Sequence, residues 1–162
     1  MTRATIGDDR VAVTLLDAEP TPDNLRAAVL AGLARTPRSL PPKFFYDERG
    51  AELFERIMTL DEYYPTRTEL GIMQQYGADM TAEVGPRGGL LIGADLHKDP
   101  ALIERAYNDA AGVTAAFNRN VLERINRETG ADFDIDSYRH HAFYDRGAQR
   151  IEMRLVAERP MT

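Results

Sequence analysis

The sequence predicts an α+β fold: a mostly helical N-terminal half, one apolar strand, two more helices and a C-terminal β-hairpin. Two periodicities carry this prediction. Apolar residues recur at helical spacing along most of the chain, whereas polar and apolar residues partly alternate over residues 138–158. One run, LLIG at 90–93, is short, apolar and framed by glycines, which is typical of a strand that is buried on both faces of a parallel sheet.

The first helix is predicted within residues 21–37, TPDNLRAAVLAGLARTP. Thr21 is placed to cap this helix, Pro22 suits its first turn, and Pro37 follows its end. Residues 1–20 have a mixed composition without a clear period. We therefore interpret them as an N-terminal extension rather than as part of the core.

Two further helices follow an irregular connector that contains two consecutive prolines. The stretch AELFERIMTL at 51–60 has the apolar spacing of a short amphipathic helix. The next helix is predicted to begin at Thr66 and to reach residue 84, because Thr66 and Glu69 have the spacing of a capping box.

Helix and strand signals are clearer after the apolar run. Asp99 and Pro100 have the order of an N-cap followed by a first helical residue. The longest helical pattern spans residues 112–130 and is predicted to end at Gly130. The stretches YRHHAFYD and RIEMRLVAE then flank RGAQ, which indicates a β-hairpin over residues 138–158.

Composition restricts the class of protein. The 162 residues correspond to about one domain, and 43% hydrophobic with 28% charged residues is typical of a globular chain. The net charge of −6 argues against a nucleic-acid partner, and no apolar run reaches the roughly 18 residues that a membrane span needs. The chain has no cysteine and no signal-peptide pattern, so we expect a cytoplasmic protein without thiol chemistry.

The short motifs that often carry chemistry give no strong signal. The glycines of EVGPRGG at 83–89 fit neither phosphate-binding pattern, and they precede a strand instead of following one. The three histidines are too few and too poorly spaced for a metal site, so we expect none. His140 and His141 are interpreted as ordinary strand residues on opposite faces of the hairpin.

Aromatic residues cluster in a segment that is punctuated by prolines. Taken singly, each tyrosine is best explained as a core or interface residue whose hydroxyl finds a partner. A cluster beside irregular backbone also lines pockets for small polar ligands, and composition does not choose between these alternatives. The cluster consists of Phe44, Phe45, Tyr46, Phe54, Tyr63 and Tyr64, and Tyr107 lies further along the chain.

Long stretches of the chain resemble one known family. SLPPKFFYDERGAELFERIMTLDEYYPTRTEL at 39–70 resembles the N-terminal segment of the histidine-specific, S-adenosylmethionine-dependent methyltransferases of ergothioneine biosynthesis. LLIGADLHKDPALIERAYNDAAGVTAAFNRNVLERINRE at 90–128 resembles a later segment, and ADFDIDSY and RIEMRL continue it. The resemblance implies a Rossmann-like cofactor core with a separate substrate-binding domain. It also implies trimethylation of the α-amino group of L-histidine to histidine betaine.

The resemblance assigns roles to single residues. Tyr63 in DEYYPTR and Tyr107 in RAYNDAAG match family positions that bind the histidine substrate at or near its carboxylate. Tyr46, Phe54 and Met153 match positions at or near the pocket wall. A tyrosine hydroxyl suits a carboxylate because it donates one well-directed hydrogen bond at small entropic cost. The implied methyl transfer from a sulfonium to a neutral amine rests on positioning and desolvation, so no residue is assigned a catalytic role.

The chain departs from the family at two places. In the family, a long segment that holds the cofactor loop separates the regions that match GADMTAEVG and GGLLIGADL. Here those regions nearly touch, because residues 77–89 are too few for a βαβ unit of roughly 30 residues. A later family segment, which recognises the imidazole, has no counterpart.

The expected organisation follows from these departures. The apolar strand is interpreted as the one strand left from a Rossmann-like sheet. The expected parts are an extension at 1–20, the N-terminal helical part of the substrate-binding region at 21–84, a junction at 85–89 where the core is missing, and the remaining strand with the substrate-binding helices and hairpin at 90–162.

We therefore expect a truncated member of the histidine N-α-methyltransferase family. It keeps the substrate-binding scaffold, has histidine or N-methylated histidine as its expected ligand, binds no S-adenosylmethionine and methylates nothing alone. The alternative is one component of an active enzyme that a separate cofactor-binding chain completes. The unpaired edges of a strand at 90–93 would favour such a chain or self-association.

Overall fold

A computed structural model describes residues 3–6, 13–16, 24–84 and 98–160. These ranges contain helices and two antiparallel two-stranded sheets, so the predicted α+β class is confirmed. The predicted strand at 90–93 and the junction at 85–89 lie outside the described residues. The elements are β1 (Arg3–Ile6), β2 (Val13–Leu16), α1 (Leu25–Leu33), α2 (Glu48–Thr59), α3 (Tyr64–Val84), α4 (Pro100–Tyr107), α5 (Val113–Thr129), β3 (Tyr138–Asp145) and β4 (Arg150–Ala157), with short 3-10 helices at Pro42–Phe45 and Ile135–Ser137.

The C-terminal hairpin forms where the sequence predicts it. β3 and β4 pair in antiparallel register from Tyr138 opposite Ala157 to Asp145 opposite Arg150. The carboxylate of Asp145 accepts hydrogen bonds from two N–H groups of the turn, which closes it tightly. Within the N-terminal extension at 1–20, β1 and β2 form a second antiparallel hairpin that the sequence analysis does not predict. Each of these strands has only four residues, too short for the alternation that reveals a strand.

Three helices begin at residues other than those predicted. α1 is capped by Asn24, whose side chain accepts from the N–H of Ala27 at 3.0 Å, and not by Thr21. α2 begins at Glu48 instead of residue 51. α3 begins at Tyr64 instead of Thr66. A proline is tolerated in the first turn of a helix, where its missing N–H has no intrahelical partner, so the proline that follows Tyr64 does not delay the start.

The predicted start of α4 and the predicted C-terminus of α5 are confirmed. The side chain of Asp99 accepts from the N–H of Ala101 at 3.0 Å, and Pro100 is the first residue of α4. α5 ends at Gly130, which has φ of 72°. This left-handed conformation favours glycine at a helix C-terminus.

The core is organised around α5, which contacts α1, α2, both 3-10 helices and the C-terminal hairpin. One side of α5 packs with α1 and the first 3-10 helix, and the other packs with α2. Burial of these apolar side chains is the main stabilising contribution. The first cluster consists of Leu25, Val29, Phe44, Val121, Leu122 and Ile125, and the second of Leu53, Ile57, Val113 and Phe117.

Candidate functional site

The five residues that the resemblance assigns to the substrate pocket lie close together. The ring centroids of Tyr46 and Phe54 are 5.5 Å apart, those of Phe54 and Tyr63 are 6.3 Å apart, and those of Tyr63 and Tyr107 are 6.2 Å apart. All three pairs have the edge-to-face geometry that aromatic rings favour. Met153, Phe54 and Tyr63 pack against the same buried cluster between α2 and α5. We call Tyr46, Phe54, Tyr63 and Tyr107 the aromatic row.

The aromatic row combines three residues of one segment of the chain with Tyr107, which lies further along the chain. Tyr46 follows the first 3-10 helix, Phe54 lies on α2, Tyr63 precedes α3, and Tyr107 ends α4. Phe117 on α5 supports the row from below, with ring centroids 5.5 Å from Tyr46 and 6.1 Å from Phe54. Its role under the row depends on tertiary packing that no local pattern encodes.

Asp47 fixes the segment that carries Tyr46. Its carboxylate accepts from the N–H of Gly50 at 2.8 Å, from the amide of Asn120 at 2.7 Å and from the guanidinium of Arg127 at 2.6 Å. Burial alone would raise the pKa of the Asp47 carboxyl, but these donors outweigh burial and hold the pKa below its ordinary value. The ionised carboxylate therefore caps α2 and ties it to α5.

Two polar contacts set the position of Tyr63. The guanidinium of Arg67 donates to the carbonyls of Leu60 and Asp61 at 2.7 and 2.6 Å, which closes the corner between α2 and α3. Glu62 accepts from the N–H of Ala110 at 3.3 Å and so joins this corner to the loop between α4 and α5. That loop follows the end of α4, so the contact keeps the two tyrosines of the predicted carboxylate site adjacent.

The end of α4 is tied to the hairpin and to α5. The amide of Asn108 donates to the carbonyl of Ala142 at 3.0 Å. The carboxylate of Asp109 accepts from the N–H groups of Val113 and Thr114, both at 2.8 Å, and so caps α5. Burial alone would raise the pKa of the Asp109 carboxyl, but the hydrogen bonds from Thr114 and Val113 keep the pKa below its ordinary value.

The row presents hydroxyl groups and ring surface at the edge of the core. Tyr46 is 52% exposed, whereas Tyr63 is half-buried. Burial raises the pKa of the Tyr63 hydroxyl, and Tyr46, Tyr64 and Glu69 raise it further. The Tyr63 hydroxyl therefore stays protonated at neutral pH and can donate a hydrogen bond to an anion.

Two surface clefts lie away from this row. A cleft of about 350 Å³ lies between α5 and the hairpin and is lined in part by Asp109, Arg119 and His140. A second of about 300 Å³ lies between α2 and α5 and includes Asn120 and Arg119. Neither cleft is lined by a residue of the aromatic row or by Met153. In the part of the chain that the structure describes, the row is therefore a packed, partly exposed surface outside both clefts.

Metal binding and membrane insertion find no support in the described ranges. Within 24–84 and 98–160, together with the two short strands, no group of histidine, aspartate and glutamate side chains is arranged to hold a metal ion. No helix in the same ranges combines the length and the apolar character of a membrane span.

Comparison with known proteins identifies the family. The chain matches the family profile "Histidine-specific methyltransferase, SAM-dependent" over residues 25–88 and 78–162. It is 31% identical over 248 aligned positions to histidine N-alpha-methyltransferase of Mycolicibacterium smegmatis, covering 88% of this chain and 77% of that protein. It is 31% identical over 240 positions to the enzyme of the same name from Mycobacterium tuberculosis, covering 83% and 75%. It is also 33% identical over 110 positions to ergothioneine biosynthesis protein 1 of Neurospora crassa, covering 64% and 12%.

The chain belongs to the histidine-specific, S-adenosylmethionine-dependent methyltransferase family, as its sequence predicts.

Proposed function

We propose that this chain is a truncated family member that keeps the substrate-binding scaffold but neither binds S-adenosylmethionine nor transfers a methyl group alone. One observation carries the proposal: the alignment with the Mycolicibacterium smegmatis enzyme has 248 positions, which exceeds the 162 residues of this chain by 86. The relative therefore has at least that many residues, inside the aligned region, that this chain lacks.

The position of the difference supports the loss of a cofactor core. The two segments that match the family profile overlap at residues 78–88, as expected if the intervening part of the family sequence is missing between them. At least 86 residues are enough for more than one βαβ unit of roughly 30 residues. The expected arrangement, with the junction at 85–89, is consistent with this overlap.

The described residues do not fit the family's cofactor. Nucleotide-type cofactors bind at the carboxyl ends of parallel strands, where a glycine-rich loop opens a helix. The two sheets in the described ranges are antiparallel hairpins with two strands each. We therefore derive no step through S-adenosylmethionine for this chain and assign no cofactor to it.

The ligand we propose for the scaffold is histidine or N-methylated histidine. Tyr63 and Tyr107 are adjacent and supply hydroxyl groups for a carboxylate, and the raised pKa keeps the Tyr63 hydroxyl a donor. The rings of Tyr46 and Phe54 form the wall beside them, with Met153 in the same cluster. Aromatic faces attract a methylated ammonium group, which favours histidine betaine over a ligand without positive charge.

Calorimetric titration tests this ligand assignment. We expect histidine betaine to bind the purified chain, and Tyr63→Phe and Tyr107→Phe each to weaken the binding about tenfold, because each loses one hydrogen bond to a charged group. Tyr76→Phe is the matched control, since Tyr76 is exposed on α3 and, within the described residues, its hydroxyl accepts from Gln75 on the same helix. Absence of binding to histidine and to histidine betaine would contradict the proposal.

A second candidate function is one component of an active enzyme that a separate cofactor-binding chain completes. The observation that favours it is the exposed apolar side of α3, where Leu70, Met73 and Tyr76 are 56%, 54% and 46% exposed. On an α-helix, which rotates by about 100° per residue, these three residues and Ile72 cover an arc of about 160° around the axis of α3. This apolar face is broader than the narrow seam of a two-helix coiled coil. A broad stripe is typical of a helix that packs on a domain surface. α3 also ends close to the residues where the two family matches overlap.

Co-expression with the intervening segment of the Mycolicibacterium smegmatis enzyme tests the second candidate. It predicts co-purification and methylation of histidine by the mixture. Met73→Glu should abolish both, whereas Ala78→Glu, at an exposed position on the opposite side of α3, should abolish neither. A mixture that neither associates nor methylates histidine would leave the first function as the better explanation, and a light-scattering mass above one chain without the segment would indicate self-association instead. A cytoplasmic location and the absence of a nucleic-acid partner stay predictions.

A further inference from the structure

A half-buried histidine of the hairpin holds the backbone of Tyr107. The His140 Nε2 atom lies 2.9 Å from the carbonyl oxygen of Tyr107, and its Nδ1 atom lies 2.9 Å from the side-chain nitrogen of Asn118. A carbonyl oxygen only accepts hydrogen bonds, so the Nε2 atom must carry a proton. The interpretation of His140 as an ordinary strand residue therefore needs correction, because the side chain joins β3 to the end of α4.

Asn118 determines the protonation of the other ring nitrogen. Its side-chain nitrogen also lies 3.1 Å from the carbonyl oxygen of Arg154, and only the NH₂ group can face that oxygen. Asn118 is 1% exposed, so a flipped amide could not find water as a substitute partner. The NH₂ group therefore donates to His140 Nδ1, which must be the unprotonated nitrogen. The network holds one neutral tautomer of His140.

We infer that His140 and Asn118 are positioning residues for the carboxylate-binding tyrosine pair. The neutral His140 side chain fixes the carbonyl of Tyr107, at the point where α4 ends, and thereby orients the ring of Tyr107 toward Tyr63, whose centroid lies 6.2 Å away. This inference rests on the proposed function, since it assumes that the pair binds the carboxylate of a histidine ligand. It adds that the affinity for this ligand depends on the protonation of His140, although His140 does not contact the ligand.

Acid should disrupt the arrangement. Burial lowers the pKa of the His140 imidazole below its ordinary value of about 6.5, and Arg119 and His141 lower it further, although Asp109 and the Tyr107 carbonyl oppose them. Protonation places an N–H on Nδ1, facing the NH₂ group of Asn118, so the bond between them is lost. The other charged groups that line the cleft at His140 are Asp136, Arg139 and Glu158.

The sign of the pH dependence follows from the lowered pKa. The unfolded chain takes up a proton at His140 near pH 6.5, whereas the folded chain resists protonation until a lower pH. The stabilisation by neutral His140 is therefore fully present above pH 6.5 and is lost as the pH falls through the folded-state pKa. Ligand affinity that depends on the same neutral form should fall only as the pH passes below the folded-state pKa of His140.

Two substitutions separate positioning from packing. His140→Leu removes both hydrogen bonds, and we expect it to weaken histidine betaine binding about tenfold at pH 7.5. His140→Gln places an amide N–H close to the position of Nε2 without a titrating group. We expect it to keep most of the affinity at pH 7.5 and to abolish the additional loss of affinity at pH values below the midpoint of the His140 titration. The ligand's own titration is common to both chains and cancels in the ratio of their affinities.

His141→Gln is the control, because His141 is exposed and stacks on Phe143 on the other face of β3. It should bind histidine betaine like the parent chain at pH 7.5. The positioning role is contradicted if His140→Leu binds like the parent chain, or if the affinity ratio of the parent chain to His140→Gln does not change with pH.

NMR on the full chain decides the same point without a ligand. In a sample with ¹⁵N-labelled histidine, the His140 signals should report a protonated Nε2 and a bare Nδ1, and the midpoint of titration should lie below 6.5. The ring signals of ¹³C-labelled Tyr107, assigned with Tyr107→Phe, should shift with that midpoint. A different tautomer, or Tyr107 signals that ignore the titration, would overturn the inference even if histidine betaine binds. If histidine betaine does not bind but the NMR signals show the expected tautomer and titration, only the proposed function is contradicted.

Discussion

Asp47 shows how one side chain can determine the position of a candidate binding residue. Its carboxylate joins the start of α2 to Asn120 and Arg127 on α5, and its neighbour Tyr46 belongs to the aromatic row. Asn120 is 1% exposed and has no partner for its side-chain oxygen among the described residues. Without Asp47, its NH₂ group would lose its acceptor as well. Unpaired polar groups in a protein interior are strongly destabilising.

Asp47→Ala should lower the free energy of unfolding by about 3 kcal/mol, because it removes a helix cap and leaves a buried amide without an acceptor. Urea unfolding followed by circular dichroism measures this change. Glu52→Ala on the same helix is the control, since its pair with Arg49 is exposed and should contribute no more than about 0.5 kcal/mol. Equal effects of the two substitutions would contradict the role given to Asp47.

Single residues divide into those that local sequence predicts and those that it does not. The cap at Asp99 and the stop at Gly130 depend on residues within one turn, and both predictions are confirmed. The partners of Asp47 and His140 lie tens of residues away in the chain, so neither network follows from local patterns. For this reason the sequence predicts only that His140 lies on a strand and does not predict its hydrogen bonds.

At the scale of elements, the junction between the first 3-10 helix and α2 determines where the aromatic row lies. A Cβ atom at Gly50 would approach the carbonyl oxygen of Phe45 to 1.7 Å, so the two segments pack this closely only because residue 50 is glycine. The sequence predicts a start of α2 at residue 51, three residues after its actual start at Glu48, because the proline-rich connector before it has no helical pattern. The hairpin β3–β4 was predicted almost to the residue, since its alternation and turn residues are local signals.

Gly50→Ala should destabilise the fold by about 2 kcal/mol, because the junction must open to accept the methyl group. It should also weaken histidine betaine binding, since Tyr46 lies inside the displaced segment. The control is Gly71→Ala on exposed α3, where nothing lies within 4 Å of the added atom. This second change should stabilise the fold by about 0.5–1 kcal/mol through helix propensity. Thermal and urea unfolding of both variants measure the difference, and loss of stability in both would contradict the packing argument.

At the scale of the whole molecule, the sequence predicted the family and the grouping of the pocket residues, but only through resemblance. Aromatic composition alone left core packing and ligand binding as equal alternatives, and the described residues bring Tyr46, Phe54, Tyr63 and Tyr107 into one row. The family relationship is confirmed. The proposed loss of methyl transfer rests on a segment that, on this proposal, the chain lacks, and local patterns in the other residues do not encode it.

Methyl transfer by the purified chain is the measurement that tests the proposed loss of activity most directly. Labelled S-adenosylmethionine would be incubated with L-histidine and the full chain, with the Mycolicibacterium smegmatis enzyme as the positive control. We predict no transfer above a blank without protein, together with no calorimetric heat for the cofactor and measurable binding of histidine betaine. Transfer of label to histidine by this chain alone would contradict the proposal that it is an incomplete methyltransferase.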